Sequence, residues 1–363
     1  MTASKKYRRI VIKIGSNVLT REDGHPDTTR ISAIVDQVAR LHRAGIEVIL
    51  VSSGAVASGR SLLEAHVGRI DTVSARQLYS AVGQVKLLNR YYDLFNGYGI
   101  ACGQVLTTKE SLSTRRQYLN QRNCMEAMLA AGVVPIVNEN DTISVTELMF
   151  TDNDELSGLV AAMMDAEALI ILSNIDGIYD GHPADPASQV IRRVEPGRDL
   201  SQYIDASRSS RGRGGMVSKS RISSRVAGEG IEVVIANGRR DGILTDILLE
   251  SRDVVCTRFE AAAHGTSGVK RWIASSEGFA KGALRLDAGA AAAVTRSKAA
   301  SILPVGVTEV EGEFERDDIV RILAPDGTQI GIGRAACDST TARCDLGKKG
   351  LKPLVHCDYL YIE

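Results

Sequence analysis

The sequence predicts an α/β fold, a mostly parallel sheet between helical layers, followed by a small, mostly β domain. Up to about Ser275, short runs of β-branched residues alternate with segments of helical periodicity, which is typical of α/β layering. Beyond this point helical periodicity fades and short alternating strands follow. A chain of 363 residues, 44% of them apolar, is long enough for two domains, which we place at residues 1–276 and 277–363.

The chain opens with a βαβ pattern. Residues 9–14 predict a strand, the apolar repeat from Ile31 to Leu41 predicts a helix, and residues 48–51 predict the next strand. Gly45 stands where a helix C-cap belongs. Both strands end in turns that contain glycine. Because ligands bind outside the carboxyl ends of parallel strands, both turns are candidate binding loops.

The pattern continues through the rest of the first domain. Further strands are predicted at residues 99–106, 133–137, 168–172 and 231–236. A helix is predicted after Asp152, with one apolar face formed by Leu156, Leu159, Val160 and Met163. In the C-terminal domain an Asp-Gly turn at residues 326–327 joins two short alternating strands, which indicates a β-hairpin.

The bulk composition argues against several classes of function. Lys plus Arg and Asp plus Glu both total 44, so a dominant nucleic-acid or membrane-surface role is not expected. The most apolar stretch, residues 159–172, is broken by Asp165 and Glu167, and the N-terminal apolar run is too short for a signal peptide. The six cysteines form no CxxC pair, so we expect no zinc site and a cytoplasmic protein with reduced thiols.

The end of the first predicted strand carries Lys13, Gly15 and Ser16. A lysine at a strand end can neutralise phosphate oxygens, and a glycine lets backbone N–H groups approach an anion closely. The spacing matches neither GxxxxGK[ST] nor GxGxxG, so we infer neither mechanism. Taken alone, a solvated lysine beside a turn is the simpler interpretation.

A glycine-rich stretch at residues 211–219 ends in Lys219, where a helix is predicted to begin. Such a loop can cradle the phosphate tail of a nucleotide, although a flexible, solvated basic loop has the same composition. Phosphoryl transfer needs charge stabilised on the equatorial and leaving oxygens. A second lysine opposite Lys13 therefore fits that chemistry.

Three polar clusters follow predicted strands or precede predicted helices. Ser52 and Ser53 suit a carboxylate or phosphate at a helix N-terminus, and N-capping explains them equally well. Residues 138–141 and 151–154 concentrate carboxylates and amides, which can bind an amino acid, position lysines or cap helices. No D-x-[DN]-x-[DN]-G calcium loop is present, and no two histidines have ligand spacing.

In their order and spacing, these motifs resemble those of the glutamate 5-kinases, a branch of the amino acid kinase family, over nearly the whole chain. The resemblance implies the amino acid kinase fold, a three-layer α/β sandwich around the mostly parallel sheet. Residues 304–307 and the Gly312-x-Phe314 pattern resemble a PUA domain. The implied reaction phosphorylates the γ-carboxylate of L-glutamate with ATP and Mg²⁺, giving γ-glutamyl phosphate in the first step of proline biosynthesis. Feedback inhibition by proline, homo-oligomerisation and coupling to glutamyl phosphate reductase are further expectations.

The resemblance also assigns roles to residues. The implied glutamate-binding residues are Ser53, Asp141 and Asn153. Lys13 and Lys219 would stabilise the transferred phosphoryl group, and Asp154 would hold both lysines in place. The implied ATP-binding residues are Lys13, Gly15, Ser16, Ser173, Asn174, Arg213, Gly214, Gly215, Met216, Val217, Ser218 and Lys219. Asn174 stands where many relatives carry Asp, and Arg213 replaces a smaller residue, so both departures put a nucleotide contact in question.

Two other functions stay open at the level of sequence. One is a different amino acid kinase that uses aspartate, N-acetylglutamate, carbamate or UMP. The other is RNA binding through the PUA-like domain, which the dense acidic run at residues 309–318 opposes. A glutamate side chain has a pKa of about 4.3 and needs no general base, which agrees with the absence of a histidine constellation.

Overall fold

The computed structural model describes residues 6–63, 71–112, 115–143, 152–182, 185–200, 203, 215–250, 252–263, 273, 280–296 and 300–362. The chain divides into two compact units, one of residues 1–108 with 122–265 and the other of residues 109–121 with 266–363. The predicted domain boundary between residues 276 and 277 lies outside the described residues and stays a prediction.

The first unit contains a mostly parallel sheet, as the sequence predicts. Its strands are β1 (Arg9–Ile14), β2 (Glu47–Ser52), β3 (Cys102–Thr107), β4 (Val134–Glu139), β5 (Ala168–Ser173), β6 (Arg193–Val194), β7 (Glu232–Asn237) and β8 (Thr257–Phe259). Within the described residues they form one sheet in the order β3-β4-β2-β1-β5-β7-β8-β6. The β7–β8 pair is antiparallel, and the other pairs of this sheet are parallel.

Helices connect the strands of this unit. They are α1 (Ser16–Leu19), α2 (Thr28–Arg43), α3 (Ala55–Leu63), α4 (Thr72–Asn96), α5 (Arg115–Ala130), α6 (Asn153–Met163), α7 (Met216–Gly228) and α8 (Ile243–Leu248). Residues 115–121 of α5 belong to the second unit. Asp27 and Asp71 cap α2 and α4, because each carboxylate accepts a hydrogen bond from a backbone N–H in the first turn. Gly45 follows α2 with a φ of +74°, a conformation that suits glycine and ends the helix as predicted.

The two faces of β1 lead to different layers. Ile10, Ile12 and Ile14 point to one face and join the core cluster with residues of α2, α4 and α8. Since side chains alternate along a strand, Val11 and Lys13 point to the opposite face. On that face α6 contacts β1 and β5. The result is three layers, with Lys13 beneath α6.

Helix α6 is buried all round, whereas the sequence predicts a single apolar face. Residues 156–163 are all buried, including Ser157 and Gly158. A Cβ atom on Gly158 would lie 3.0 Å from Val226 and 3.2 Å from Ile222 of α7. Small residues therefore let α7 pack closely on the side of α6 that would otherwise face solvent.

The second unit is mostly β, as predicted. Its elements are β9 (Gly282–Leu286), α9 (Ala288–Arg296), β10 (Val307–Gly312), β11 (Ile319–Leu323), β12 (Gln329–Arg334), α10 (Ser339–Asp345) and β13 (Leu360–Ile362). The described strands form a sheet in the order β10-β9-β11-β12-β13. The predicted hairpin is confirmed, since β11 pairs antiparallel with β12 and Gly327 of the turn has a φ of +87°.

No helix in the described part of the chain combines the length and apolar character needed to cross a membrane. All six cysteines are free thiols.

Candidate active site

The carboxyl ends of neighbouring parallel strands bring candidate residues to one edge of the first sheet. Strands β4, β2, β1, β5 and β7 lie side by side and run in the same direction. The residues at or just after these ends are Asn138, Ser53, Gly15, Ser173 and Asn237. The edge therefore joins segments that are far apart in the sequence.

Two lysines share one buried carboxylate at this edge. Lys13 Nζ lies 2.6 Å from Asp154 Oδ1, and Lys219 Nζ lies 2.8 Å from Asp154 Oδ2. Asp154 is 0% exposed and both lysines are buried. We call Lys13, Asp154 and Lys219 the lysine cluster. It carries one net positive charge, because two ammonium groups face one carboxylate.

The electrostatics keep Asp154 ionised. Burial raises the pKa of its carboxyl, but the ammonium groups of Lys13 and Lys219 outweigh burial and hold that pKa below its ordinary value. The carboxylate therefore stays charged at neutral pH and can hold both lysines in fixed positions.

The first turns of α6 and α7 are linked by Asp152. Its Oδ1 accepts hydrogen bonds from the N–H groups of Asp154 and Glu155, at 2.9 and 3.0 Å, and so caps α6. Its other oxygen accepts a hydrogen bond from Ser218 Oγ in the first turn of α7. Asp152 thereby aligns the two helix ends that carry Asp154 and Lys219. Sequence reasoning placed Asp152 in a polar cluster without giving it this role.

The N-terminus of α7 is suited to bind an anion. Gly215 stands at its N-cap and offers no side chain to cap the helix. Among the described residues, no atom lies within 4 Å of a Cβ atom placed on Gly215, which leaves room for a ligand beside the backbone. The N–H groups of Met216 and Val217 and the charge of Lys219 would then face the same ligand. The predicted residues Arg213 and Gly214 lie outside the described residues.

The turn after β1 differs in one respect from the sequence-based expectation. The N–H of Gly15 donates to Leu172 O of β5 at 3.0 Å and so is used inside the fold. A Cβ atom on Gly15 would lie 3.1 Å from the same oxygen, so glycine is needed here for close approach to β5. The exposed Ser16, which begins α1, is the nearest residue of this turn that faces solvent.

Beside this turn, β5 and β7 end in polar residues. Ser173 is buried, and its Oγ lies 3.5 Å from Oδ1 of the exposed Asn174. Asp176 accepts hydrogen bonds from Asn237 Nδ2 at 3.0 Å and from Tyr179 OH at 3.3 Å. The predicted nucleotide residues Ser173 and Asn174 thus lie next to the Gly15 turn, beside a polar pair that sequence reasoning did not assign.

Asn153 connects the lysine cluster with the ends of β2 and β4. Its Nδ2 lies within hydrogen-bonding distance of Ser53 Oγ at 2.9 Å, Ser52 O at 3.1 Å and Asn138 Oδ1 at 3.2 Å. Asn153 directly precedes Asp154 in α6. The structure therefore brings together the predicted residues Ser53 and Asn153, adjacent to the two lysines.

A second charged cluster lies just beyond β4. Arg76 Nη2 forms an ion pair with Asp141 Oδ1 and lies 3.5 Å from Glu139 Oε2. Ser80 Oγ donates to the other oxygen of Asp141 at 3.3 Å. We call Arg76, Glu139 and Asp141 the arginine cluster, and it carries one net negative charge. Burial raises the pKa of the Asp141 carboxyl, and Arg76 opposes that shift.

Helix α4 supplies residues to which sequence reasoning gave no role. Arg76, Ser80 and Gln84 are spaced by four and so lie on one face, towards Asn138 and Asp141. Gln84 Oε1 accepts a hydrogen bond from Asn138 Nδ2 at 2.9 Å, and Gln84 Nε2 is buried with no partner among the described residues. The sequence does contain one signal for these three residues. They form a polar stripe at helical spacing, and the same face of the helix continues into buried apolar residues. Those residues are Leu87, Tyr91 and Phe95.

Comparison with known protein families identifies the family to which this chain belongs. The sequence profile of the amino acid kinase family matches residues 8–237, which include every described residue of both clusters. The chain belongs to the amino acid kinase family. The profile of the PUA domain matches residues 282–353 in the second unit.

Similar members of the family share almost the full length of the chain. The glutamate 5-kinase of Bacteroides thetaiotaomicron is 63% identical over 359 residues, which cover 99% of each chain. The glutamate 5-kinase of Chlorobaculum tepidum is 47% identical over 358 residues, which cover 98% of each. Among solved structures, the UMP kinase of Bacillus anthracis aligns with a TM-score of 0.50 and 17% identity, covering 71% of this chain and 97% of that one. That likeness concerns the fold alone.

Proposed function

We propose that the chain transfers the γ-phosphoryl group of ATP to the γ-carboxylate of L-glutamate. The product, γ-glutamyl phosphate, is the first intermediate of proline biosynthesis. The observation that carries the proposal is the pairing of Lys13 and Lys219 on the buried Asp154, next to the Ser53–Asn153 contact. This pairing offers concentrated positive charge beside groups that can bind an amino acid.

The phosphates of ATP would lie between the turns that follow β1 and β5 on one side and the first turn of α7 on the other. The first turn of α7 and Lys219 would face one side of the triphosphate, and Lys13 would face the other side. Asp154 keeps both ammonium groups in place before the nucleotide arrives. Because charges held in advance need no reorganisation during the reaction, they stabilise the negative charge that spreads over the transferred group.

The chemical step needs no general base. The γ-carboxylate has a pKa of about 4.3 in free glutamate and is already ionised at neutral pH. One of its oxygens forms a bond to the γ-phosphorus, and the bond from that phosphorus to the bridging oxygen breaks, so ADP leaves with the electron pair. The difficulty is bringing two anions together, and the net positive charge of Lys13, Lys219 and Asp154 reduces their repulsion.

The amino acid would extend from the lysine cluster towards β4. Asn153 and Ser53 would bind carboxylate oxygens near the lysines, and Asp141 would bind the α-ammonium group; the Asn153–Ser53 contact and the ion pair of Asp141 with Arg76 support this. Asp141 would then favour an amino acid over a plain dicarboxylate. A buried polar group whose hydrogen bond the wrong substrate leaves unmade costs about 1–3 kcal/mol.

Mg²⁺ fits this site as an ion carried by the nucleotide. The nearest carboxylates are already held, Asp154 by two lysines and Asp152 by the N–H groups of α6 and by Ser218. Mg²⁺ commonly binds phosphate oxygens and keeps several waters. When bound, it would neutralise phosphate charge.

An assay across substrates tests the proposal. ADP release would be measured with L-glutamate, L-aspartate, N-acetyl-L-glutamate and UMP, and hydroxylamine would trap the acyl phosphate as a hydroxamate. We expect ADP and hydroxamate in equal amounts with L-glutamate, and little of either with the other compounds. Faster turnover of aspartate, or ADP release without hydroxamate, would contradict the proposed substrate or product.

We also propose that proline competes with glutamate, because it carries the same α-carboxylate beside a positively charged nitrogen. Proline should raise the KM for glutamate and leave kcat unchanged. Inhibition that lowers kcat instead would place the proline site elsewhere. Homo-oligomerisation, coupling to glutamyl phosphate reductase and a cytoplasmic location remain predictions.

A further inference from the structure

Arg76 has an unusual position for a residue with a purely structural role. Its guanidinium lies between two buried carboxylates, Glu139 and Asp141, at the end of β4. The Arg76 side chain itself is 22% exposed, so part of it can be reached by a ligand. It lies on the face of α4 that also carries Ser80 and Gln84, both of which contact residues at the end of β4.

The chemistry of an α-amino acid makes this position informative. The α-ammonium and α-carboxylate groups share one carbon, so a protein that binds one group fixes the other beside it. If Asp141 binds the ammonium group, the α-carboxylate lies close to Glu139 and Asp141 as well. Without a cation there, the repulsion between these carboxylates would oppose binding.

We propose that Arg76 binds the α-carboxylate of the amino acid substrate, so that Arg76 and Asp141 together recognise the zwitterion. This inference rests on the proposed function, because it takes Asp141 as the ligand of the ammonium group. A guanidinium presents its N–H donors in a fork that matches a carboxylate, so it can contact Asp141 along one edge and the substrate along another.

The test compares L-glutamate with its α-carboxamide, which keeps the γ-carboxylate and the α-ammonium group but lacks the α-carboxylate. We expect the wild-type chain to prefer glutamate in kcat/KM by about 10- to 100-fold, as for a charge-assisted hydrogen bond in a buried site. In Arg76→Met the kcat/KM for glutamate should fall by a similar factor, mainly through KM. The value for the amide should change little, so the preference falls towards one.

Two further variants keep the test decisive. Arg76→Lys retains the charge without the fork and should keep part of the preference, and it serves in place of Arg76→Met if the latter does not fold. Arg90→Met removes an exposed arginine from the same helix and should leave the preference unchanged. Thermal unfolding of each variant separates loss of structure from loss of recognition.

Other outcomes would overturn the inference. If Arg76→Met lowers kcat/KM for glutamate and the amide by the same factor, Arg76 acts only as a structural counter-ion of Asp141. If the wild-type chain uses the amide as well as glutamate, nothing recognises the α-carboxylate. A wild-type chain that phosphorylates neither compound would instead contradict the proposed function.

Discussion

The lysine cluster and the arginine cluster are opposite in charge and similar in design. In the first, one carboxylate, Asp154, lies between two ammonium groups. In the second, one guanidinium, Arg76, lies beside two carboxylates. Each cluster therefore leaves a single net charge, positive in one and negative in the other. In the proposed function, the lysine cluster serves the γ-carboxylate and the phosphates, and Asp141 of the arginine cluster serves the α-ammonium group.

Neither cluster is explained by stability alone. Burying charges costs several kcal/mol per ion, and a buried ion pair is often no more stabilising than apolar residues of similar volume. Both clusters also use the starts of helices or the ends of strands, where the fold already exposes polar groups. We infer that these charges are kept in place for substrate binding and phosphoryl transfer.

The largest expected effect comes from the lysine cluster. Lys13→Ala and Lys219→Ala should each lower kcat by about 100- to 1,000-fold, because each removes a charge that stabilises the transferred phosphoryl group. The KM for glutamate should change far less. Initial rates at varied glutamate and saturating ATP give both constants.

Lys86→Ala is the matched control for these variants, since Lys86 is an exposed lysine on α4. It should keep wild-type constants. If Lys13→Ala or Lys219→Ala raised only the KM for glutamate and left kcat intact, the phosphates would have to lie elsewhere.

Substitutions in the arginine cluster should change the KM for glutamate more than they change kcat. Asp141→Asn should raise the KM for glutamate by about 10- to 100-fold, because the α-ammonium group loses a buried charged partner. Glutarate, which lacks the ammonium group, should be used equally poorly by the variant and the wild-type chain. A loss of equal size with both compounds would show that Asp141 supports the fold and does not recognise the amine.

A smaller effect concerns the helix that carries Arg76. A Cβ atom on Gly83 would lie 1.8 Å from Ala55 O, so α4 approaches α3 at glycine. Gly83→Ala should lower the free energy of unfolding by about 1–3 kcal/mol through overpacking. Gly228→Ala is the control, since in the described part of the chain no atom lies within 4 Å of its Cβ position. Urea unfolding measures both, and equal stability of the two variants would refute the close approach.

The smallest expected effect is the pH dependence of stability from Asp154. Its pKa is lower in the folded chain than in the unfolded one, so its contribution is present above the unfolded pKa of about 3.9 and is lost as pH falls through the folded value. The difference in unfolding free energy between the wild-type chain and Asp154→Asn should be constant near neutral pH and shrink below about pH 4. Urea unfolding from pH 7 to 3.5 measures it, and a difference that grows on acidification would contradict the assigned shift.

Local patterns predicted most of the fold, and the resemblance to the amino acid kinase family joined Lys13, Lys219 and Asp154 into one expected cluster. Strand ends and glycine turns carry their own signals, so Lys13 and Lys219 could be named as candidates from the residues beside them, although each signal was weak by itself. Arg76 could not, because its contact with Asp141 joins a helix to a strand end 65 residues later. The burial of α6 depends in the same way on the approach of α7, which periodicity within α6 does not reveal. The hydrogen bond that the Gly15 N–H donates could not be predicted either, since its acceptor, Leu172 O, belongs to another strand.

Calorimetric titration of glutamate into Lys219→Ala and Asp141→Asn, without nucleotide, tests the division between the two clusters most directly. The account predicts that Lys219→Ala binds glutamate with a Kd close to that of the wild-type chain. It predicts that Asp141→Asn weakens binding by about 10- to 100-fold. Loss of binding in Lys219→Ala, with tight binding kept in Asp141→Asn, would show that the two clusters have been assigned to the wrong ends of the substrate.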